Sequence, residues 1–382
     1  MIGLRNIRIG IDIRALDTQY TTGVDTYLGK LLENWALNSN GHTFALLGTA
    51  GLANHPLVVN MVKLGHTFIG PKFPSKFFNG SMKFFGRPKL DKLVGGVDIF
   101  FLPNTMFHSF SENCKTVITF HDLSFERLQS VYSPKRNLWH KLVNPKKEAM
   151  RASRVIAVSH STARDLQSLY GIPKEKIDVI PLGVHFDEYS KSADSTQSRD
   201  RELVRGEYIL FLGSIEPRKN LSSLLLAFDR LRAKHPNLNL VVAGSFFPQK
   251  DKEAYSLVKG IKNVTLHNSV SGNEKRALLQ GALITVLPSF YEGFGLPIIE
   301  SMASGTPVIT SASSSMPEVS QGAALLVNPF NAGELAIALD SLLTNEQLRN
   351  TLISHGREVA KHYTWQKTAK MTLEVLEAVA SK

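Results

Sequence analysis

The sequence predicts an α/β fold class made of two doubly wound parallel-sheet domains. Short apolar runs alternate with amphipathic helical stretches, and that alternation runs through the chain twice. Length agrees, since 382 residues at roughly 150 per domain gives two.

Each element has a local reason. In the first half, IRIGIDI (7–13), HTFALLG (42–48), VDIFFLP (97–103), TVITFHD (116–122) and SRVIAVS (153–159) read as buried strands, being short apolar runs bounded by turn or polar residues. Between the first two, Val24, Tyr27, Leu28, Leu31, Leu32 and Trp35 make one apolar stripe on a helix, with Gly23 just before it. In the second half the strands are EYILFLG (207–213), LNLVVAG (238–244), NVTLHN (263–268), LITVLPS (283–289), PVITS (307–311) and AALLVNP (323–329). Leu221, Leu224, Leu225, Phe228 and Leu231 mark a helix between the first two of these. Residues 190–206 contain only Ala193, Leu203 and Val204 as apolar side chains, which is linker composition. The expected division is therefore a first domain over 1–189, a linker over 190–206, a second domain over 207–364 and a terminal helix over 365–382.

Composition narrows the class of function. Hydrophobic residues at 43% and charged residues at 20% describe a globular chain rather than a disordered one. No apolar run approaches the roughly 18 residues of a membrane span. The opening MIGLRNIRIGIDIRAL lacks the apolar middle of a signal peptide, and Cys114 is the sole cysteine, so cytoplasmic residence is the expectation. The net charge of +11 is uneven: residues 1–190 carry 23 Lys and Arg against 15 Asp and Glu, and the rest carry 21 against 18. Nucleic acid, anionic lipid and phosphorylated small molecules are the partner classes this leaves. Absence of a nucleic-acid module disfavours the first.

The sharpest local signal is GSIEPRKNLSSLLLAF, where a strand ends at Gly213 and a short loop carries Arg218 and Lys219. Asn220 is expected to N-cap the next helix. Two cations at a helix N-terminus suit a diphosphate, because Arg grips two oxygens and Lys acts as a point charge. The alternative is a solvated basic turn.

The second signal is PSFYEGFGLPIIESMASGTPVIT. Glu292, Gly293, Phe294 and Gly295 make a tight loop, Pro297 suits the first turn of a helix, and Gly305 ends it. Glu292 and Glu300 would face the carboxyl edge of the sheet, where open α/β folds bind ligands. A carboxylate can accept from two neighbouring sugar hydroxyls. Against this, Glu300 could simply favour a helix N-terminus and Glu292 be a solvated loop acid. His121, at the end of TVITF, is either a hydrogen-bonding or proton-carrying group or a structural histidine. Gly23 either lets backbone approach a phosphate or is an ordinary helix entry.

Other motifs are missing. The sequence has no GxxxxGK[ST], no GxGxxG after a strand, no GxSxG, no HExxH and no acidic DxD loop. No metal site is expected and no cofactor. A leaving diphosphate would then be neutralised by protein cations, the task assigned to Arg218 and Lys219.

Together these residues resemble the retaining glycosyltransferase family 4, of GT-B fold. Glu292 and Glu300, with seven residues between them in SFYEGFGLPIIESMASGTPVI, carry the resemblance most strongly. GSIEPRKNL, VIAVSHSTARDL, VIPLGV, SSMPEV and YTW add to it in order along the chain. The resemblance implies two Rossmann-like domains facing a central cleft, a last helix crossing back to the first domain, and a nucleotide-sugar donor held mainly by the second. It implies that Arg218 and Lys219 hold the diphosphate and that Glu300 holds the ribose. Glu292 with the backbone of Phe294, Gly295 and Leu296 would meet the sugar and phosphate, and His121 the donor sugar. Gly23 and Gly213 complete the donor-binding set. Two positions depart from the family pattern: Thr26 stands where many relatives have arginine, and Leu182 where Asn is usual. The sequence most resembles members using GDP-mannose or a related deoxyhexose donor in surface-polysaccharide assembly. The alternative is a non-catalytic nucleotide- or carbohydrate-binding protein on the same fold.

One further segment bears on the acceptor. Residues 61–96 hold seven Lys or Arg against Asp91, with Phe73, Phe77, Phe78, Phe84 and Phe85 interleaved, and basic residues recur at 135–154. The favoured reading is peripheral attachment to an anionic membrane surface, with a saccharide or lipid-linked saccharide as acceptor. The alternative places the phenylalanines in the core or acceptor pocket.

Overall fold

The computed structural model describes residues 6–17, 23–72, 74–191, 206–245 and 252–382. The predicted linker falls almost wholly outside them, as does Phe73. Two compact units divide the chain: residues 1–182 with 365–382, and residues 183–364.

The first unit is built on β1 (Arg8–Asp12), β2 (Thr43–Leu47), β3 (Thr67–Ile69), β4 (Ile99–Leu102), β5 (Thr116–Phe120), β6 (Arg154–Ala157) and β7 (Ile177–Val179). All pairings are parallel, in the order β3-β2-β1-β4-β5-β6-β7. Central strands β4 and β5 are buried at every position, as a sheet covered on both faces requires. The sequence reading omits β3 and β7. Each has three residues, none buried, so neither shows the apolar run that marks a central strand.

The terminal helix Trp365–Ala380 belongs to this first unit. It packs on helix Gly23–Leu37, burying Leu373 and Leu376, and Trp35 Nε1 donates to the Ala369 carbonyl at 3.1 Å. His42 Nε2 and Glu377 Oε1 meet at 2.8 Å.

The second unit is a six-stranded parallel sheet of β8 (Tyr208–Leu212), β9 (Asn239–Ala243), β10 (Val264–His267), β11 (Ile284–Leu287), β12 (Val308–Ser311) and β13 (Ala324–Val327). Its order is β10-β9-β8-β11-β12-β13. Leu221, Leu224, Leu225 and Phe228, the predicted stripe, are fully buried in its core.

The first compact unit closes at Leu182. Val184 bridges to Thr364, and helix Phe186–Ser190 packs on helix Leu296–Ser304, so residues 183–189 belong with the second sheet.

Candidate active site

In the second sheet the strand order reverses between β8 and β11, adjacent strands far apart in sequence. Loops leaving the carboxyl ends of such a pair diverge and open a crevice. The loop after β8 carries Gly213, Arg218 and Lys219; the loop after β11 carries Glu292. The reversal therefore brings two predicted cations and a predicted acid together.

Gly213 adopts φ 151°, and Gly244, at the end of β9, adopts φ 141°. A Cβ on Gly244 would sit 2.0 Å from the Gly213 carbonyl oxygen, so the two backbones touch where only glycine fits. Sequence reading missed Gly244, although it ends LNLVVAG as Gly213 ends EYILFLG. The turn Pro217–Lys219 then presents its cations inward. Lys219 Nζ donates to Glu292 Oε1, and Arg218 Nη1 donates to Glu292 Oε2 at 3.1 Å. Ser289 Oγ adds a third bond to Oε1 at 2.7 Å. Neither expected alternative survives here: Lys219 is not in a solvated turn, and Glu292, 5% exposed, is not a solvated loop acid. Burial pushes the Glu292 carboxyl up, but Lys219 and Arg218 outweigh it and hold it at about 2.

Asn220 corrects the expected N-cap. It sits at φ 55° and its side chain takes no backbone N–H of the following helix, its Oδ1 accepting instead from the Ser223 hydroxyl at 2.7 Å. Its amide instead donates to the Pro288 and Pro329 carbonyls at 3.0 and 2.7 Å, tying the loops after β11 and β13 to the cationic turn.

Gly295 takes φ 91° as the N-cap of helix Leu296–Ser304. The Phe294 ring is buried edge-on against Tyr363, with centroids 5.6 Å apart, while Ser315 Oγ binds the Glu292 and Phe294 carbonyls at 2.9 and 3.1 Å. Leu296 opens the helix. Glu300 is its fifth residue, beyond the first turn, so a helix-dipole preference does not explain it. It does not join the Glu292 cluster. Its Oε1 accepts from Lys275 Nζ at 2.6 Å and Tyr189 OH at 3.2 Å, two residues that sequence reading missed because they come from separate helices.

His121 and Gly23 lie in the first unit. His121 follows β5, with Nε2 against the Pro103 carbonyl at 2.8 Å and its ring edge-on to Tyr27. Burial lowers its pKa, so the imidazole is neutral near pH 7. A neutral ring donating through Nε2 leaves Nδ1 as an acceptor. Gly23 is the exposed first residue of helix Gly23–Leu37.

The first unit also holds a cluster that sequence reading missed, at its own reversal between β1 and β4. Asp12 accepts from Arg14 Nη2 at 2.6 Å and faces His108 Nε2 at 3.2 Å. Burial works against its charge, but Arg14 and His108 hold its carboxyl well below the usual range. Arg14 Nη1 donates to Asn79, and Nη2 also to the Phe107 carbonyl. Beside this cluster is a cavity of about 400 Å³ whose walls include Asp17, Asp25, Asn104 and Trp139.

Among the described residues no group of three or more His, Cys, Asp or Glu could hold a metal, and no helix is long and apolar enough to cross a membrane.

Comparison with known proteins gives one family match in each half of the chain. Residues 21–188 match the family described as Glycosyltransferase Family 4, and residues 194–359 the one described as Glycosyl transferases group 1. An MMP alpha-(1->4)-mannosyltransferase of Mycolicibacterium hassiacum is 32% identical over 251 residues, 64% of this chain and 59% of that protein. The O-antigen chain mannosyltransferase B of Escherichia coli is 27% identical over 68% of this chain and 69% of its own length. The E. coli serotype-specific mannosyltransferase WbdA is 28% identical over 68% of this chain, but the match spans only 33% of WbdA. Among solved structures, sucrose-phosphate synthase from Thermosynechococcus elongatus superposes with TM-score 0.78 at 20% identity, covering 98% of this chain and 99% of that one. Anabaena HepE in complex with UDP and glucose superposes with TM-score 0.72 at 14% identity, covering 98% and 100%. With two parallel-sheet units and family matches over most of its length, the chain belongs to glycosyltransferase family 4 and has the GT-B fold.

Proposed function

We propose that the protein is a retaining, metal-independent hexosyltransferase that moves mannose from GDP-mannose to a saccharide acceptor in polysaccharide or lipopolysaccharide assembly. The observation that carries this is the cluster at the β8/β11 reversal, where Arg218 and Lys219 are anchored together by Glu292. Such cations are already oriented when a diphosphate arrives, so they stabilise charge that develops as the glycosidic bond ionises. The acceptor hydroxyl attacks the face the diphosphate leaves, and a phosphate oxygen takes its proton. Glu292 holds the two cations, and His121 offers Nδ1 to a sugar hydroxyl. Glu300 binds the ribose. Mannose and the pathway class are supported by the relatives, which include an O-antigen and two other mannosyltransferases.

Relatives named D-inositol 3-phosphate glycosyltransferase suggest a second reading, with a phosphorylated acceptor. The cavity of the first unit favours an uncharged sugar. Among the described residues of its wall, Arg14 stands against two acids, Asp17 and Asp25, besides its own partner Asp12. Trp139 supplies an apolar face for a sugar ring.

A lipid-linked acceptor at an anionic membrane fits the surface beside that cavity. Helices Ser75–Phe85 and Pro134–Val143 expose Phe77, Phe84, Phe85, Leu138 and Leu142, and Lys83 Nζ reaches the Leu142 carbonyl. Arg87, just past the first helix, and Lys135, Arg136 and Lys141 on the second are exposed as well. Phe78, which the sequence reading grouped with these, is buried in the core with Met82.

Incubation with a panel of nucleotide sugars, with and without EDTA, tests the reading. Nucleoside diphosphate should be released from GDP-mannose in either buffer. Release that EDTA abolishes and a divalent ion restores would overturn metal independence.

A further inference from the structure

We propose that Lys275 and Tyr189 are positioning residues for the nucleotide, turning the Glu300 carboxylate so that Oε2 meets the ribose diol. This rests on the reading of Glu300 as the ribose ligand and adds the groups that aim it.

Glu300 is 6% exposed, so its carboxylate needs both a countercharge and hydrogen-bond donors. Both come to one oxygen. Oε1 takes Lys275 Nζ at 2.6 Å and Tyr189 OH at 3.2 Å, while Oε2 takes no hydrogen bond among the described residues. Two donors nearly fill one carboxylate oxygen and leave the other with its full accepting capacity. A vicinal diol presents two donors to such an acceptor.

The aiming groups are themselves held. Lys275 rises from helix Gly272–Gly281, which Ser271 and Glu274 close with a capping box. Tyr189 lies on helix Phe186–Ser190, and Gln280 Nε2 pins the chain there by donating to the carbonyls of Tyr189 at 2.8 Å and Lys191 at 2.6 Å. The Lys275 ammonium lies 5.9 Å from the centre of the Tyr189 ring, so the two donors also brace each other. Burial disfavours the charge on Lys275, but Glu300 beside it reverses that and raises its pKa. Oε2 is left open to solvent, where a ligand's hydroxyls can reach it.

Calorimetry on the full chain tests this with GDP, UDP and ADP and their 2′-deoxy forms, using whichever base binds. The wild type should bind the ribonucleotide at least about tenfold more tightly than its deoxy form. In Lys275→Met the ribonucleotide should weaken about tenfold while the deoxy form holds, so the ratio falls towards one. Tyr189→Phe should shrink the ratio about threefold, and Lys275→Arg should restore part of it. If Lys275→Met melts early, Tyr189→Phe, which removes a single hydroxyl, decides the matter. A full wild-type ratio in folded Lys275→Met or in Tyr189→Phe would overturn the positioning role and leave Glu300 as ribose ligand. A wild-type ratio near one, or no binding of any of the three, would overturn both.

Discussion

Glu292 gives the site two energetic faces. Its carboxylate is buried between Lys219, Arg218 and Ser289, so each cation is at once a ligand candidate and a structural countercharge. Arg218→Ala should cost at least about tenfold in activity, the value of a charge-assisted bond. Lys219→Met should do the same and also destabilise the fold by about 3 kcal/mol, because it strips a buried carboxylate of a partner. Adding Glu292→Gln should return much of that stability without returning activity. Urea midpoints and initial rates on the three variants separate the roles, and equal loss of both quantities throughout would mean the cluster is only structural. Glu292 also sets an acid limit. Its folded pKa of about 2 lies below the ordinary carboxylate value, so its contribution is complete above about pH 4.5 and lost as pH falls towards 2. That contribution is about 3 kcal/mol. The fall in urea midpoint between pH 5 and pH 3 should be smaller in Glu292→Gln than in the wild type.

At the scale of elements, the central strands were legible because parallel strands covered on both faces are continuous apolar runs. The cations after β8 and the acids around Gly295 were legible because loops leaving a strand's carboxyl end carry little else. Three things were not. Strands β3 and β7 bury none of their residues, so their sequences look like loop. Asn220 reads as a cap by type, but its φ of 55° turns its amide across to two other loops. Tyr189 and Lys275 are ordinary residues of short helices, and only the fold carries them to Glu300. The basic, phenylalanine-rich segment was half legible: its composition is that of an interface, yet helix geometry sends Phe78 inward and leaves Phe77, Phe84 and Phe85 outside. Sedimentation with vesicles should grow with anionic lipid and fall with salt. Replacing Arg87, Lys135 and Lys141 by Gln should reduce it several-fold without changing donor hydrolysis. Equal sedimentation with neutral and anionic vesicles would refute the electrostatic anchor.

At the scale of the whole molecule, the chain is two parallel sheets that each reverse strand order once, and each reversal gathers charge. In the first unit Asp12, Arg14 and His108 gather beside a cavity; in the second, Arg218, Lys219 and Glu292 gather at the site we propose for the diphosphate. The most direct test joins both halves in one reaction. The full chain is incubated in EDTA with GDP-mannose and an uncharged mannoside acceptor, and the product's anomeric configuration is read by NMR. The predicted result is acceptor-dependent release of GDP with the configuration of the donor retained. Inverted configuration, or no transfer to any saccharide from any nucleotide sugar, would contradict a retaining glycosyltransferase.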